Sequence, residues 1–280
     1  MSTETENPLK KFYRQPQLYI KLPSNGQWWP EGSLQRAVTG EYPVLAMTAK
    51  DELCMKTPDA LLNGQSTVDV IQSCIPNIKD AWHTPICDID LLLIAIRLAT
   101  YGNRMEFTSI CPHCNHKNEN AIDLQFLIEK FQTVPKYHKI MKIDDLEICL
   151  KAESYQSFNK KSMAMFEEQR ILQLVSQDTL PEEEKFDRFK TLFNKLLSLT
   201  VEQISGNIAY IKLNEGTVVE NPLFINEFFQ NCDRKVWNTI KDAIEDIVKE
   251  NPTNKIDIKC ESCTKDYQSP LTFEMSNFFA

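Results

Sequence analysis

Glycine is scarce in this chain, seven residues in 280. None sits in a G-x-x-x-x-G-K-[ST], a G-x-G-x-x-G or a G-x-S-x-G. That leaves little material for a loop whose backbone N–H groups close on phosphate, or for a nucleophile elbow. Histidine is scarcer still, at four. No two form an H-x-x-x-H, and His83 is followed by Thr-Pro rather than by the x-Glu that zinc deaminases need. A catalytic zinc with an open coordination position is therefore not expected. Positive charge is also short: 31 Lys and Arg against 39 Asp and Glu give a net charge of −8. Phosphate binding is driven by cationic side chains that displace counterions, so the balance argues against a nucleic-acid partner. The longest apolar run, Ile89 to Ile96, is broken by Asp90 and falls far short of the roughly 20 residues that span a bilayer. The start, Met1-Ser-Thr-Glu-Thr-Glu-Asn, has no apolar core of a secretion signal.

What remains is a globular composition, 42% apolar and 25% charged, with length for one large domain or two modest ones. Against the other shortages stand nine cysteines. Cys54, Cys74, Cys87, Cys149 and Cys232 are isolated among apolar neighbours and read as core filler. The other four form two C-x-x-C pairs, Cys111/Cys114 and Cys260/Cys263. A single offset of 149 residues lays one pair on the other. It also lays Phe107 on Ile256, and Ile122, Leu124 and Phe126 on Leu271, Phe273 and Met275. Apolar alternation on both sides of a tight turn is the period of strands, so each half reads as strand, cysteine turn, strand. Two such hairpins face to face supply the four thiolates of a tetrahedral Zn²⁺ site. The spacer between the pairs is far longer than that of ordinary zinc ribbons, so the matched flanks carry the pairing, and the predicted site is structural. The alternatives are turns without metal, His113 or His116 in place of a cysteine, and iron in place of zinc.

The expected fold class is α+β: a zinc-ribbon-like pair of β-hairpins with N-terminal strands, a buried core helix and a large helical insertion. Residues 1–12 read as a flexible arm, 13–127 plus 253–280 as the mixed body, and 128–252 as a mostly helical insertion. Gln17 to Leu22 alternates and, after Pro23-Ser-Asn-Gly26, predicts a hairpin with Gln27-Trp-Trp29. Pro43 to Met47 is a short strand. Ser66 and Asp69 have the form of a capping box for a helix stopped at Pro76. Asp88 is placed to cap a helix that Gly102 ends, and Leu91 to Ala99, apolar nearly all round, make 88–101 the central core helix. Strands follow at Ile140–Ile143 and Leu146–Leu150. Pro181 opens a helix whose apolar side carries Phe186, Phe189, Phe193, Leu196 and Leu197. Ala209–Leu213 reads as a strand turned by Asn214-Glu-Gly216. Asp233 caps a last helix with Val236, Trp237, Ile240, Ile244, Ile247 and Val248 on one face, ended by Asn251-Pro252. The acidic clusters Glu182–Glu184 and Asp144-Asp145 read as solvated charges rather than paired catalytic carboxylates.

The runs Met47-Thr-Ala-Lys-Asp-Glu-Leu53, Lys56-Thr-Pro-Asp-Ala-Leu-Leu-Asn-Gly-Gln65 and Val68 to Lys79 are followed by Asp88 to Gly102 and then C-P-H-C. Together they resemble the baseplate hub proteins of T-even-type contractile-tailed bacteriophages, most densely over residues 43–115. The resemblance implies a structural or assembly protein of the hub that binds other phage tail and baseplate hub proteins. It also implies a place in the host cytoplasm during assembly and in the virion tail if the protein is retained. It carries over no catalytic residue, so no enzyme is expected. The other reading is a cytosolic zinc-ribbon adaptor or nucleic-acid binder, which the acidic charge opposes.

Overall fold

One helix, Ile86–Tyr101, organises the N-terminal half: Leu91, Leu92, Ile94, Ala95 and Ile96 are sealed from solvent on every side. A computed structural model describes residues 7–57, 64–132, 139–177, 182–250 and 255–270. Pro8–Phe12 is a short 3-10 helix. Strands β1 (Pro16–Lys21) and β2 (Glu41–Leu45) pair antiparallel, and helices α1 (Ala49–Met55) and α2 (Gln65–Cys74) follow. The central helix is α3, and α4 (Leu124–Gln132) returns beside it. Ile20, Val44, Val68, Ile71, Leu127 and Phe131 close around α3 to form the first core. The apolar sequence of α3 thus becomes a helix covered all round, as its pattern requires.

Four local expectations are corrected. Gln27-Trp-Trp29 is not a strand: β1 pairs with β2, and residues 23–28 turn, with Trp28 at φ 63. The longer-range partner offers a full ladder that three residues beside Pro30 do not. Ser66 and Asp69 form no capping box. Helix α2 starts at Gly64, Ser66 donates instead to the Cys54 carbonyl at 2.8 Å, and Asp69 accepts from Gln65 at 2.7 Å. The capping box is one helix earlier, where Asp51 N donates to Thr48 Oγ1 at 3.2 Å and Thr48 N donates to Asp51 Oδ2 at 2.7 Å. Asp88 does not cap α3, which begins after Pro85. Fully buried, it accepts from Ser24 N at 2.8 Å, Ser24 Oγ at 2.5 Å and Trp29 Nε1 at 3.2 Å, tying the turn after β1 to the helix. Burial pushes its carboxyl up to about 6 although those donors pull the other way. Finally, Leu124 and Phe126 belong to α4 and not to a strand.

A second core follows. After strands β3 (Arg104–Ile110) and β4 (Lys117–Asp123), strands β5 (Ile140–Ile143), β6 (Leu146–Leu150), β7 (Ile208–Leu213) and β8 (Val218–Val219) form an antiparallel sheet in chain order. Ile148, Leu150, Ile208 and Ile211 pack against helices α7 (Pro222–Asn231) and α8 (Arg234–Glu250) through Ile225, Phe229, Val236, Ile240 and Ile247. Asp233 caps α8 through Val236 N at 2.9 Å, as its position predicts. Asp144 and Asp145 sit in the β5–β6 turn, paired with Lys235 and Asn214. The two cores join where Ile86 N donates to Glu153 O at 2.9 Å and Tyr155 N to Thr84 O at 2.7 Å, with Cys87 buried in the second core.

Helices α5 (Tyr155–Gln177) and α6 (Glu182–Gly206) pack antiparallel. Buried Lys161 bonds Glu153 at 2.5 Å and the Glu202 carbonyl at 3.3 Å, so a cation closes the C-terminal end of α6. Further along, Lys195 pairs with buried Glu168. The apolar side read for α6 is largely open: Phe186, Phe193 and Leu197 are exposed, while Leu192 and Ile204 are buried. Tyr137, Pro181, the side chain of Val248, Asn251-Pro252, Leu271, Phe273, Met275 and residues 1–6 lie outside what is described.

Candidate metal centre

Two hairpins carry the cysteines: β3 (Arg104–Ile110) with β4 (Lys117–Asp123), and β9 (Lys255–Lys259) with β10 (Asp266–Pro270). Their turns are built alike. In the first, Cys111 N donates to His116 O at 2.9 Å and Asn115 N to Cys111 O at 2.9 Å. In the second, Cys260 N donates to Lys265 O at 3.0 Å and Thr264 N to Cys260 O at 3.0 Å. Asn115 at φ 58 and Thr264 at φ 60 take the same left-handed step. Every pair is separated by the offset that matches the cysteines. On the strands before the turns, Phe107 in β3 and Ile256 in β9 both pack against the ribbon and against the first core.

Folded together, the turns bring Cys111, Cys114, Cys260 and Cys263 to one point, with all four sulfurs within 4.8 Å of one another. Across the hairpins, Cys111 Sγ lies 3.7 Å from Cys263 Sγ and Cys114 Sγ 3.6 Å from Cys260 Sγ. A disulfide needs about 2.05 Å. A tetrahedron with metal–sulfur bonds of about 2.3 Å has edges of about 3.8 Å, close to the two distances across the hairpins. These four cysteines can hold a metal ion, and neither His113 nor His116 is in the group. Cys111 and Cys260 are buried and Cys114 is exposed.

Charge is unevenly shared among the thiols. The backbone N–H of Cys263, then that of Ser262, helps hold Cys260 down at about 6 against burial. The backbone N–H of His116 favours the Cys114 thiolate, but desolvation and the three neighbouring thiols raise it to about 12. Four thiolates repel one another at this distance, and a divalent cation removes that repulsion.

A polar cluster behind the sulfurs is not legible from C-x-x-C chemistry. Asn118, buried in β4, donates to Tyr267 Oη at 3.0 Å and approaches Cys260 Sγ at 3.7 Å, while its Oδ1 accepts from Glu261 N at 3.0 Å. Tyr267 Oη also meets Ser109 Oγ at 2.6 Å, and Asn120 donates to Ser109 Oγ at 2.9 Å. The one signal is that Asn118 and Tyr267 stand at the same offset as the cysteines.

The fold and site define an α+β protein with a zinc-ribbon-like cysteine cluster. Over residues 15–280 the chain matches the family model described as T4 bacteriophage base plate protein, and it belongs to that family. Membership implies a structural component of the virion tail that contacts other tail proteins. No curated protein and no solved structure matches it significantly. Among the described residues no helix is long and apolar enough to cross a membrane.

Proposed function

We propose that this chain is a structural or assembly protein of the baseplate hub that works by binding other hub and tail proteins. Cys111, Cys114, Cys260 and Cys263 hold one structural Zn²⁺ in this reading. The observation that carries it is the convergence of two turns, far apart in sequence, on one set of four sulfurs. A closed shell of four thiolates leaves no position for an activated water, so the ion stiffens the chain and does no chemistry. Rigid surfaces lose little entropy on docking, which suits a part of a larger assembly. The body, 13–127 with 253–280, is the clamped platform, and 128–252 is an insertion with its own surface. In support, residues 143–247 build nearly all of the second core, although α4 packs with the first, Tyr155 packs against the first and Cys87 lies in the second.

Elemental analysis of the purified chain tests the metal, with one Zn²⁺ per chain expected. Mass spectrometry of purified tails and hub subassemblies, with pull-down against neighbouring hub proteins, tests the place. Absence from all of them contradicts the hub reading.

A further inference from the structure

A cleft of about 740 Å³ opens where the turn after β1, the segment joining β6 to α5, and helices α5, α6 and α7 meet. Lys151, Glu153 and Lys161 line it. Glu153 and Lys161 are buried and satisfy each other at 2.5 Å, and Lys161 also donates to the Glu202 carbonyl. A Cβ on Gly206 would stand 2.8 Å from Lys161 Nζ, so glycine keeps the room this pair needs. Lys151 is left over: among the described residues its half-buried side chain has neither a hydrogen bond nor an ion pair. Burial pushes its pKa down from the ordinary lysine value, with Glu153 pulling the other way and Lys161 adding to the shift. Its backbone is fixed, since Lys151 N donates to Asn207 O at 2.8 Å and Ile86 N to Glu153 O at 2.9 Å.

The turn after β1 contributes Trp28, whose φ of 63 a residue of its size rarely holds. Asp88 pins the turn through Ser24 and Trp29, and Trp28 packs against the second core. Strain that the surrounding fold holds in place gathers at binding sites. Beside Trp28 the cleft also carries Leu223, 76% exposed.

Charge decides what fits. Lys160, Glu202 and Glu220 also line the cleft, but all three are exposed to solvent. With Glu153 taken by Lys161, the interior keeps one uncompensated positive charge. A phosphate dianion would meet one cation and two acids, whereas a carboxylate matches the single cation. A free carboxylate ion would leave most of the volume empty, and a segment of several residues fills it. Membership of the baseplate family supplies neighbours that can offer such a segment. We infer that the cleft docks a short segment of another tail protein, with an Asp or Glu side chain on Lys151 and an apolar residue against Trp28. The cleft gives the baseplate reading a specific surface and rests on that reading.

The test treats purified tails and hub subassemblies with a water-soluble carbodiimide, which joins an amine to a carboxylate only where the two touch. Cross-linked peptides are then sequenced. Expected is an amide from Lys151 to an Asp or Glu of another tail protein. A link from Lys151 to a second copy or only to this chain's own acids, or an unlinked Lys151 in particles that contain the chain, overturns the docking site. In parallel, K151M should cut incorporation into those particles by about tenfold or more, while K151R stays within about threefold of the parent. Metal content and melting temperature of both variants should stay as in the parent; if K151M melts lower, the cross-link alone decides. A K151M chain that incorporates as well as the parent overturns the docking site and leaves the baseplate reading standing. A parent chain absent from every particle removes both.

Discussion

Asn118 donates to the hydroxyl of Tyr267 at 3.0 Å, and the two residues occupy equivalent positions in the two cysteine hairpins. The repeat therefore bonds to itself beside the sulfurs, and each hairpin completes the other. Asn118→Ala leaves Glu261 N without its acceptor and empties a buried site, a loss on the order of 2–3 kcal/mol. Tyr267→Phe keeps the ring and removes one hydroxyl, and should cost about 1–2 kcal/mol. Denaturant midpoints of the two variants in saturating zinc check the order. A Tyr267→Phe loss larger than that of Asn118→Ala contradicts it.

The shared cluster makes the distant cysteines equivalent. Cys111→Ser and Cys260→Ser should each release the metal and destabilise the ribbon by more than about 3 kcal/mol, to similar extents. Zinc content and melting curves measure both. If only one of the two substitutions matters, the hairpins do not share an ion.

Thr264 holds a left-handed backbone, φ 60, that a β-branched residue adopts at a cost. Its counterpart Asn115 is a residue type that tolerates the same step. Thr264→Asn should therefore raise stability by about 0.5–1 kcal/mol with metal content unchanged, read as a shift in the thermal midpoint.

Asp88 supplies a pH dependence apart from the metal. Its pKa is raised from 3.8 to about 6, chiefly by burial, so the folded state prefers the protonated acid. Its contribution to stability is full below the unfolded value and is lost as pH rises through about 6. The stability of the parent relative to Asp88→Asn should fall by on the order of 2–3 kcal/mol from pH 4 to pH 7. Paired urea titrations across that range would show it, and a flat difference contradicts it.

Much of this fold was readable because local chemistry and long-range structure agree. A C-x-x-C turn repeated with its flanks names its own partner, and an all-apolar run such as Leu91 to Ile96 has no exposed face to misplace. Where several solutions satisfy the same local pattern, tertiary neighbours decided. Thr48/Asp51 and Ser66/Asp69 both spell a cap, but the Ser66 hydroxyl is taken by the Cys54 carbonyl. Asp88 looks like a helix cap until Ser24 and Trp29 claim it. Periodicity drew an apolar face on α6 and was silent on whether anything in this chain covers it. The Asn118–Tyr267 bond lay beyond reach because polar residues in strands usually face water.

In the proposed reading one ion joins both hairpins through sulfur alone. X-ray absorption at the zinc edge of the full chain, purified reduced, tests it most directly. One zinc per chain is expected, with four sulfur neighbours at about 2.3 Å and no lighter ligand. A folded chain that carries no metal, or a first shell containing nitrogen or oxygen, would contradict it.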